Sequence, residues 1–310
     1  MKLNLTNYIG KTAFVAGVLA TNMYTCTNGF QPPYNMQDRI VSTTENSTGK
    51  QVNNPKVLVV DCFEVGTVNI NNDDSSDIPH GEVVSKLLEE NLPNADIYKR
   101  NVDFSSEGVS AFTGKLDTLF SGILKRGEKF DAINMSLGSD VSFDTLSVLL
   151  GFEITPDNIA RLKGRVRDSL ATSKYIVNGD PFCVIAKLLN KMDSVALNGS
   201  KIYVAGGNEG NTSLNLLSLA NGMEVVGACD ECGTPKDYSA DNSIITRYER
   251  DEFPIEATKD GFDITMDGKT DFKFEQMAFP WFATKQPREI PLHGTSFATP
   301  NAIIEDLEAK

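Results

Sequence analysis

Histidine is nearly absent from this chain: there are two among 310 residues, His80 and His293. That scarcity argues against a histidine-rich metal centre and leaves two imidazoles for any acid–base chemistry. Basic residues are also few, 29 Lys and Arg against 42 Asp and Glu, for a formal net charge of −13. An acidic surface argues against nucleic acid as the main partner and gives no reason to expect binding to anionic membranes. The sequence has no internal repeat, no long low-complexity tract and no apolar run long enough to cross a bilayer. Cysteine is sparse, at five. Cys229 and Cys232 form a lone C-x-x-C, too little for a zinc site, while a local disulfide and free thiols both stay open.

The length suits one large α/β domain or two small ones, and the 40% apolar content is that of a globular protein. The first residues differ from the rest. Lys2 and Lys11 precede a short apolar run, Ala13 to Ala20, with Val18 and Ala20 as small residues before a cut. Residues 1–20 therefore read as a secretory signal peptide, and export is expected. Residues 21–54, rich in Asn, Thr, Gln and Pro, read as an exposed leader.

From residue 55 onward, strand and helix patterns alternate. "KVLVVD" (56–61) is a continuous apolar run ending in an acid, as in a parallel strand covered on both faces. "HGEVVSKLLEEN" (80–91) has helical spacing, "ADIYKRNV" reads as a strand, and "GVSAFTGKLDTLFSGILKRG" as a helix. "DAINMSLGS", "KIYVAGGNEG" and "MEVVGACD" are further strands. The expected architecture is a mostly parallel sheet with helices on both faces, in one domain over 55–310. Two elaborations interrupt the rhythm. Residues 140–198 carry helical patterns around Ile159 to Leu170 and Val184 to Leu189, and "FDITMDGKTDFKF" alternates around Asp267-Gly268 as a β-hairpin does.

Functional residues of an open parallel sheet gather at the carboxyl ends of its strands. Asp61 ends the first strand, Asn134 to Gly138 end another, and Gly206, Gly207 and Asn208 a third. His80 opens the helix after the first strand, and Ser296 opens the last helix. The segment Gly294-Thr295-Ser296, with Pro300 four residues on, has two readings. One is a helix capped by Thr295 or Ser296; the other is a nucleophilic serine at a helix N-terminus. A serine nucleophile needs a base and an acid to orient that base. His80 fills the first role and Asp61 the second, while His293 reads as a loop residue lining the site. No histidine follows Ser296 and there is no G-x-S-x-G, which excludes the α/β-hydrolase arrangement.

The order Asp61, His80, Ser296 and the motifs around them resemble the subtilisin-like serine proteases. "HGTSFATP" is similar to the nucleophile motif of that family, and "PHGEVV" to its histidine motif, with Glu82 where threonine is usual. "VLVVDCF" resembles the strand ending in the acid, "INMSLGS" the substrate-pairing segment, and "VAGGNEG" the segment of the oxyanion-hole asparagine. The resemblance implies a subtilisin-like fold and a serine endopeptidase with Ser296 as nucleophile, His80 as base and Asp61 as its orienter. Asn208 would stabilise the oxyanion, and Ser136, Leu137 and Gly138, with Ala205, Gly206 and Gly207, would bind the peptide substrate. Two other readings stay open on the same scaffold: an inactive peptide-binding relative, and a serine esterase or transacylase. No cofactor and no metal ligand is assigned. The acidic loop "EVGTVNINNDDSSDI" offers carboxylates to a calcium ion, although such loops are more often simply solvated. Nothing in the sequence specifies an oligomer, so a monomer is the default.

Overall fold

The computed structural model describes residues 54–63, 66–68, 78–102, 109–174, 176–177, 180–231, 233–258, 260–263, 268–273 and 289–309. The expected signal peptide, nearly all of the leader, most of the acidic loop, Cys232 and the hairpin tip at Asp267 lie outside the described residues. No helix among the described residues is long and apolar enough to cross a membrane.

Six strands form the central sheet: β1 (Lys56–Asp61), β2 (Asp96–Asn101), β3 (Ala132–Met135), β4 (Ile202–Ala205), β5 (Met223–Cys229) and β6 (Arg247–Arg250). Their spatial order is β6-β5-β4-β3-β1-β2, and every neighbouring pair is parallel. The chain runs outward from β1 to β2, returns to β3 on the other side of β1, and then proceeds outward to β6. The order therefore reverses between β1 and β3, where an open sheet leaves a crevice at its carboxyl edge.

Burial of every residue of β1 after Lys56 explains its unbroken apolar run. Val57 and Val59 pack on one face with Val83, Val84, Leu87 and Leu88 of helix α1 (His80–Asn91). That cluster also takes in Phe297, Ala298, Ala302 and Ile303 of a C-terminal helix, Thr295–Glu308. Leu58 and Val60 face the opposite way. They join the core built by α2 (Val109–Arg126), α3 (Phe143–Leu150), α4 (Ile159–Thr172) and α5 (Phe182–Leu197). The result is three layers with helices on both faces of a parallel sheet, the α/β class expected from the alternation of patterns. The C-terminal helix, α6, packs across β4, β5 and β6. Its Asp306 binds Lys201, Tyr203 and Arg247, so polar contacts as well as apolar ones fix its depth on the sheet.

Helix ends follow local chemistry. Ser142 caps α3 by accepting from the Thr145 N–H at 3.1 Å, and Gly151 closes it in a left-handed conformation. The alternating stretch near Asp267-Gly268 does pair as a hairpin, with Phe262 opposite Phe272. Edge strand β6, "RYER", carries no apolar run and gives no strand signal in the sequence. A second antiparallel pair, Phe253–Ala257 with Glu289–Leu292, leads the chain into α6.

Candidate active site

β1 ends at Asp61, and α1 begins at His80 beside it. Gly81 makes the approach feasible: a Cβ at that position would lie 2.8 Å from the Cys62 carbonyl oxygen and 2.9 Å from Asp61 Cβ. The Gly81 N–H also donates to that carbonyl at 2.8 Å. With the helix held there, His80 Nδ1 lies 2.9 Å from Asp61 Oδ1 and 3.0 Å from Oδ2. Asp61 is buried, and its Oδ1 also accepts from the Cys62 N–H at 2.7 Å. The carboxylate is therefore fixed from two directions. A proton on Nδ1 suits it, which leaves Nε2 as the basic nitrogen on the far side of the ring. The ring is half-buried and packs against Phe297, centroid to centroid 5.2 Å, which places it over the first turn of α6, against the residue that follows Ser296.

The entry into α6 corrects the capping reading. The N-cap is Gly294, not Thr295 or Ser296, and no side chain caps the helix. Gly294 has φ 146° and ψ 150°, a region open to glycine alone. The Thr295 hydroxyl is used elsewhere. Its Oγ1 accepts from the Gly207 N–H at 3.1 Å and donates to Asn208 Oδ1 at 3.0 Å, while the Thr295 N–H donates to the same Oδ1 at 2.9 Å. Because a backbone N–H can only donate, the oxygen of Asn208 must face Thr295, and its Nδ2 is turned the other way. Nδ2 and Ser296 Oγ lie 3.4 and 3.3 Å from the place a Cβ on Gly294 would occupy. The bare Cα of Gly294 thus leaves a small space bounded by a hydroxyl and an amide donor.

Pro300 explains the position of Ser136. A proline has no N–H to give to the carbonyl four residues earlier, and its ring crowds that carbonyl. In α6 that carbonyl belongs to Ser296. The Ser136 hydroxyl donates to it at 2.6 Å, and Asn134 Nδ2 donates to Ser136 Oγ at 2.9 Å. The Ser136 side chain thus supports the backbone of the serine at the helix start. Ser136→Ala should cost about 1–3 kcal/mol, because it leaves a part-buried carbonyl without a donor. Pro300→Ala restores an N–H, so the double variant should lose less than the sum of the single losses. Urea unfolding of the four proteins checks this; strictly additive losses would refute the coupling.

The two expected walls of the substrate cleft are tied together by a residue the sequence does not announce. Buried Asn215 donates from Nδ2 to the Ala205 carbonyl at 2.7 Å and to the Leu137 carbonyl at 3.3 Å. Its Oδ1 accepts from the N–H groups of Ser139 and Leu217 at 3.3 and 3.0 Å. Gly138 is required here, since a Cβ would fall 2.2 Å from Asn215 Nδ2. The N–H of Gly206 donates to Val226, and the Gly207 carbonyl accepts from Ala240. The 205–207 segment is therefore bonded into the protein on both sides.

Comparison with protein-family models and with curated proteins gives no match. Among solved structures, the chain is similar to the prenylagaramide maturation protease PagA, at 16% identity over 80% of this chain and 72% of that one, TM-score 0.47. It is similar to a lanthipeptide protease at 13% identity over 81% and 72%, TM-score 0.47. A cold-adapted subtilisin-like serine proteinase has 15% identity over 88% and 84%, TM-score 0.43. The structural neighbours of this chain are subtilisin-like proteases. At such distances the functional reading rests on the side-chain geometry above.

Two acidic residues near the site escape the sequence patterns. Asp251 is fully buried; its Oδ2 accepts from the Gly294 N–H at 2.7 Å and from the Tyr238 hydroxyl. Burial pushes this carboxyl up, partly offset by the Gly294 N–H and by nearby His293. It anchors the strained glycine ahead of Ser296. His293 itself is exposed beside Asp251. The second residue is Asp140, directly after the 136–139 segment. Burial, reinforced by the charge of Glu209, pushes its carboxyl up to about 6 from an ordinary 3.8. A raised carboxyl binds its proton more tightly in the folded state, so this group lowers stability as pH rises from 3.8 through about 6. Asp140→Asn should therefore melt at a higher temperature than the parent at pH 8, with the difference vanishing near pH 4. Equal melting temperatures at pH 8 would contradict this assignment.

Proposed function

We propose that the protein is a serine endopeptidase that cleaves polypeptides through an acyl-enzyme intermediate. The observation that carries this reading is the Asp61–His80 pair at 2.9 Å, set against the turn that presents Ser296. In the proposed cycle His80 Nε2 takes the Ser296 hydroxyl proton as Oγ attacks the peptide carbonyl. The imidazolium then gives that proton to the leaving amine. Asp61 stabilises the imidazolium and remains ionised. The tetrahedral oxyanion occupies the space beside Gly294, where Asn208 Nδ2 donates to it. Water then attacks the acyl-enzyme by the same route in reverse, with His80 again as the base.

The single test is digestion of a denatured proteome with the purified protein, followed by mapping of the new termini. Internal cleavage by the parent and none by Ser296→Ala supports the reading. Cleavage of simple esters without any peptide bonds would favour an esterase, and no turnover of either class would favour a peptide-binding protein. We further propose that the protein is exported and that its mature chain begins near Thr21, on the pattern of Lys2, Lys11 and the apolar run before it. Intact-mass analysis of native material decides this, and a chain retaining Met1 in a cytoplasmic fraction would sink it.

A further inference from the structure

Beside the two expected walls of the substrate cleft lies a carboxylate that the proposed mechanism does not use. Asp140 opens the short strand Asp140–Ser142, which pairs antiparallel with Ser213–Asn215. It continues directly from the 136–139 segment on one wall. Its carboxylate reaches across to the other wall: a Cβ on Gly207 would stand 3.3 Å from Oδ1 and 3.6 Å from Oδ2. Gly207 has no side chain, and its bare Cα lets the carboxylate come this close. Gly207 also has φ 113°, which disfavours any larger residue there.

Asp140 is half-buried, and among the described residues no cation and no side-chain hydrogen-bond donor lies on its carboxylate. The charged neighbour acting on it is Glu209, which has the same sign and follows Asn208 in sequence. A carboxylate crowded by protein holds its charge less readily without a partner, because part of its hydration is lost. Here burial, with the like charge of Glu209, pushes the carboxyl up to about 6. A cation entering between the walls would supply the missing partner, and its hydrocarbon stem would lie against Leu137 and the glycines. We propose that this cleft selects lysine or arginine on the amino side of the scissile bond, with Asp140 as the carboxylate that receives its charge and Glu209 adding attraction at the rim. The inference rests on the endopeptidase reading for the reaction, and on Asp140 for the choice of side chain.

Two readouts keep the two readings apart. The first is turnover of three peptide p-nitroanilides that differ only in the last residue: lysine, norleucine and glutamate. Norleucine matches the lysine stem without its charge. The parent should prefer lysine to norleucine by about 10- to 100-fold in kcat/KM, the range for a hydrogen bond to a charged group. Asp140→Asn should bring that ratio to within about threefold of unity, and Glu209→Gln should lower it less. A parent that takes norleucine as well as lysine, or a ratio that Asp140→Asn leaves unchanged, overturns the proposal. The second readout needs no turnover. Benzamidine, a compact amidinium, should raise the melting temperature of the parent and of Ser296→Ala at pH 8, and should not shift Asp140→Asn. Absence of a shift in the parent overturns the pocket. A shift that depends on Asp140, in a protein that cleaves none of the three peptides, keeps the pocket and rejects the endopeptidase.

Discussion

Ser296→Ala is expected to lower kcat on a peptide substrate by about 10⁶, and His80→Ala by nearly as much. In the proposed cycle the two groups act on one proton, so the double variant should be no worse than either single one. Asp61→Ala should cost less, about 10⁴, because the imidazole can still accept a proton when it is poorly oriented. The structure adds a reason for the Asp61 loss to exceed that of a remote charge. Asp61 Oδ1 and Oδ2 are the two atoms that hold His80 Nδ1, and the Cys62 N–H locks the carboxylate in turn. His293 is exposed and beside Asp251 rather than Asp61, so His293→Ala should leave most activity in place. Steady-state kinetics on one chromogenic peptide, with circular dichroism to show that each variant is folded, compares the five variants with the parent. A strictly additive Ser296/His80 double variant would contradict a shared proton.

The second large effect concerns Asn208. If Nδ2 donates to the oxyanion, that bond exists mainly in the transition state, and Asn208→Ala should lower kcat by about 10²–10³ with KM little changed. The side chain has a second duty, however. Its Oδ1 accepts from both the N–H and the hydroxyl of Thr295. Alanine would leave those donors unpaired and cost about 1–3 kcal/mol of stability as well. Asn208→Asp separates the two duties. It keeps an acceptor for Thr295 and replaces the amide donor with oxygen, so stability should hold while kcat falls at least as far as in the alanine variant. Equal kcat in the parent and Asn208→Asp would remove Asn208 from the chemistry and leave it as a support for Thr295.

Much of this arrangement is legible in the sequence, for identifiable reasons. Buried parallel strands announce themselves by continuous apolar runs, as in Val57 to Val60, and amphipathic helices by the spacing of residues such as Val83, Val84, Leu87 and Leu88. Asp61, His80, Asn208 and Ser296 stand at strand ends and helix starts, which topology brings to one edge. Strand β6 stays hidden because an edge strand with alternating charged residues lacks that apolar signal. The supporting residues stay hidden for another reason. Pro300 signals that the Ser296 carbonyl lacks its helical donor, but the donor, Ser136, comes from 160 positions away. Asn215 and Asp251 likewise act through long-range contacts that no local pattern encodes. Ser136 shows the limit of motif reading: its segment was placed correctly at a strand end, while the direction of its hydroxyl depended on a proline in a different element.

The most direct test of the central claim is covalent labelling with a fluorophosphonate, read by intact mass and peptide mapping. The claim is that Asp61 and His80 activate Ser296. One adduct per chain, located on Ser296 and formed far more slowly in His80→Ala, is the predicted result. A parent protein that stays unlabelled while folded, or an adduct on a different serine, would contradict the account.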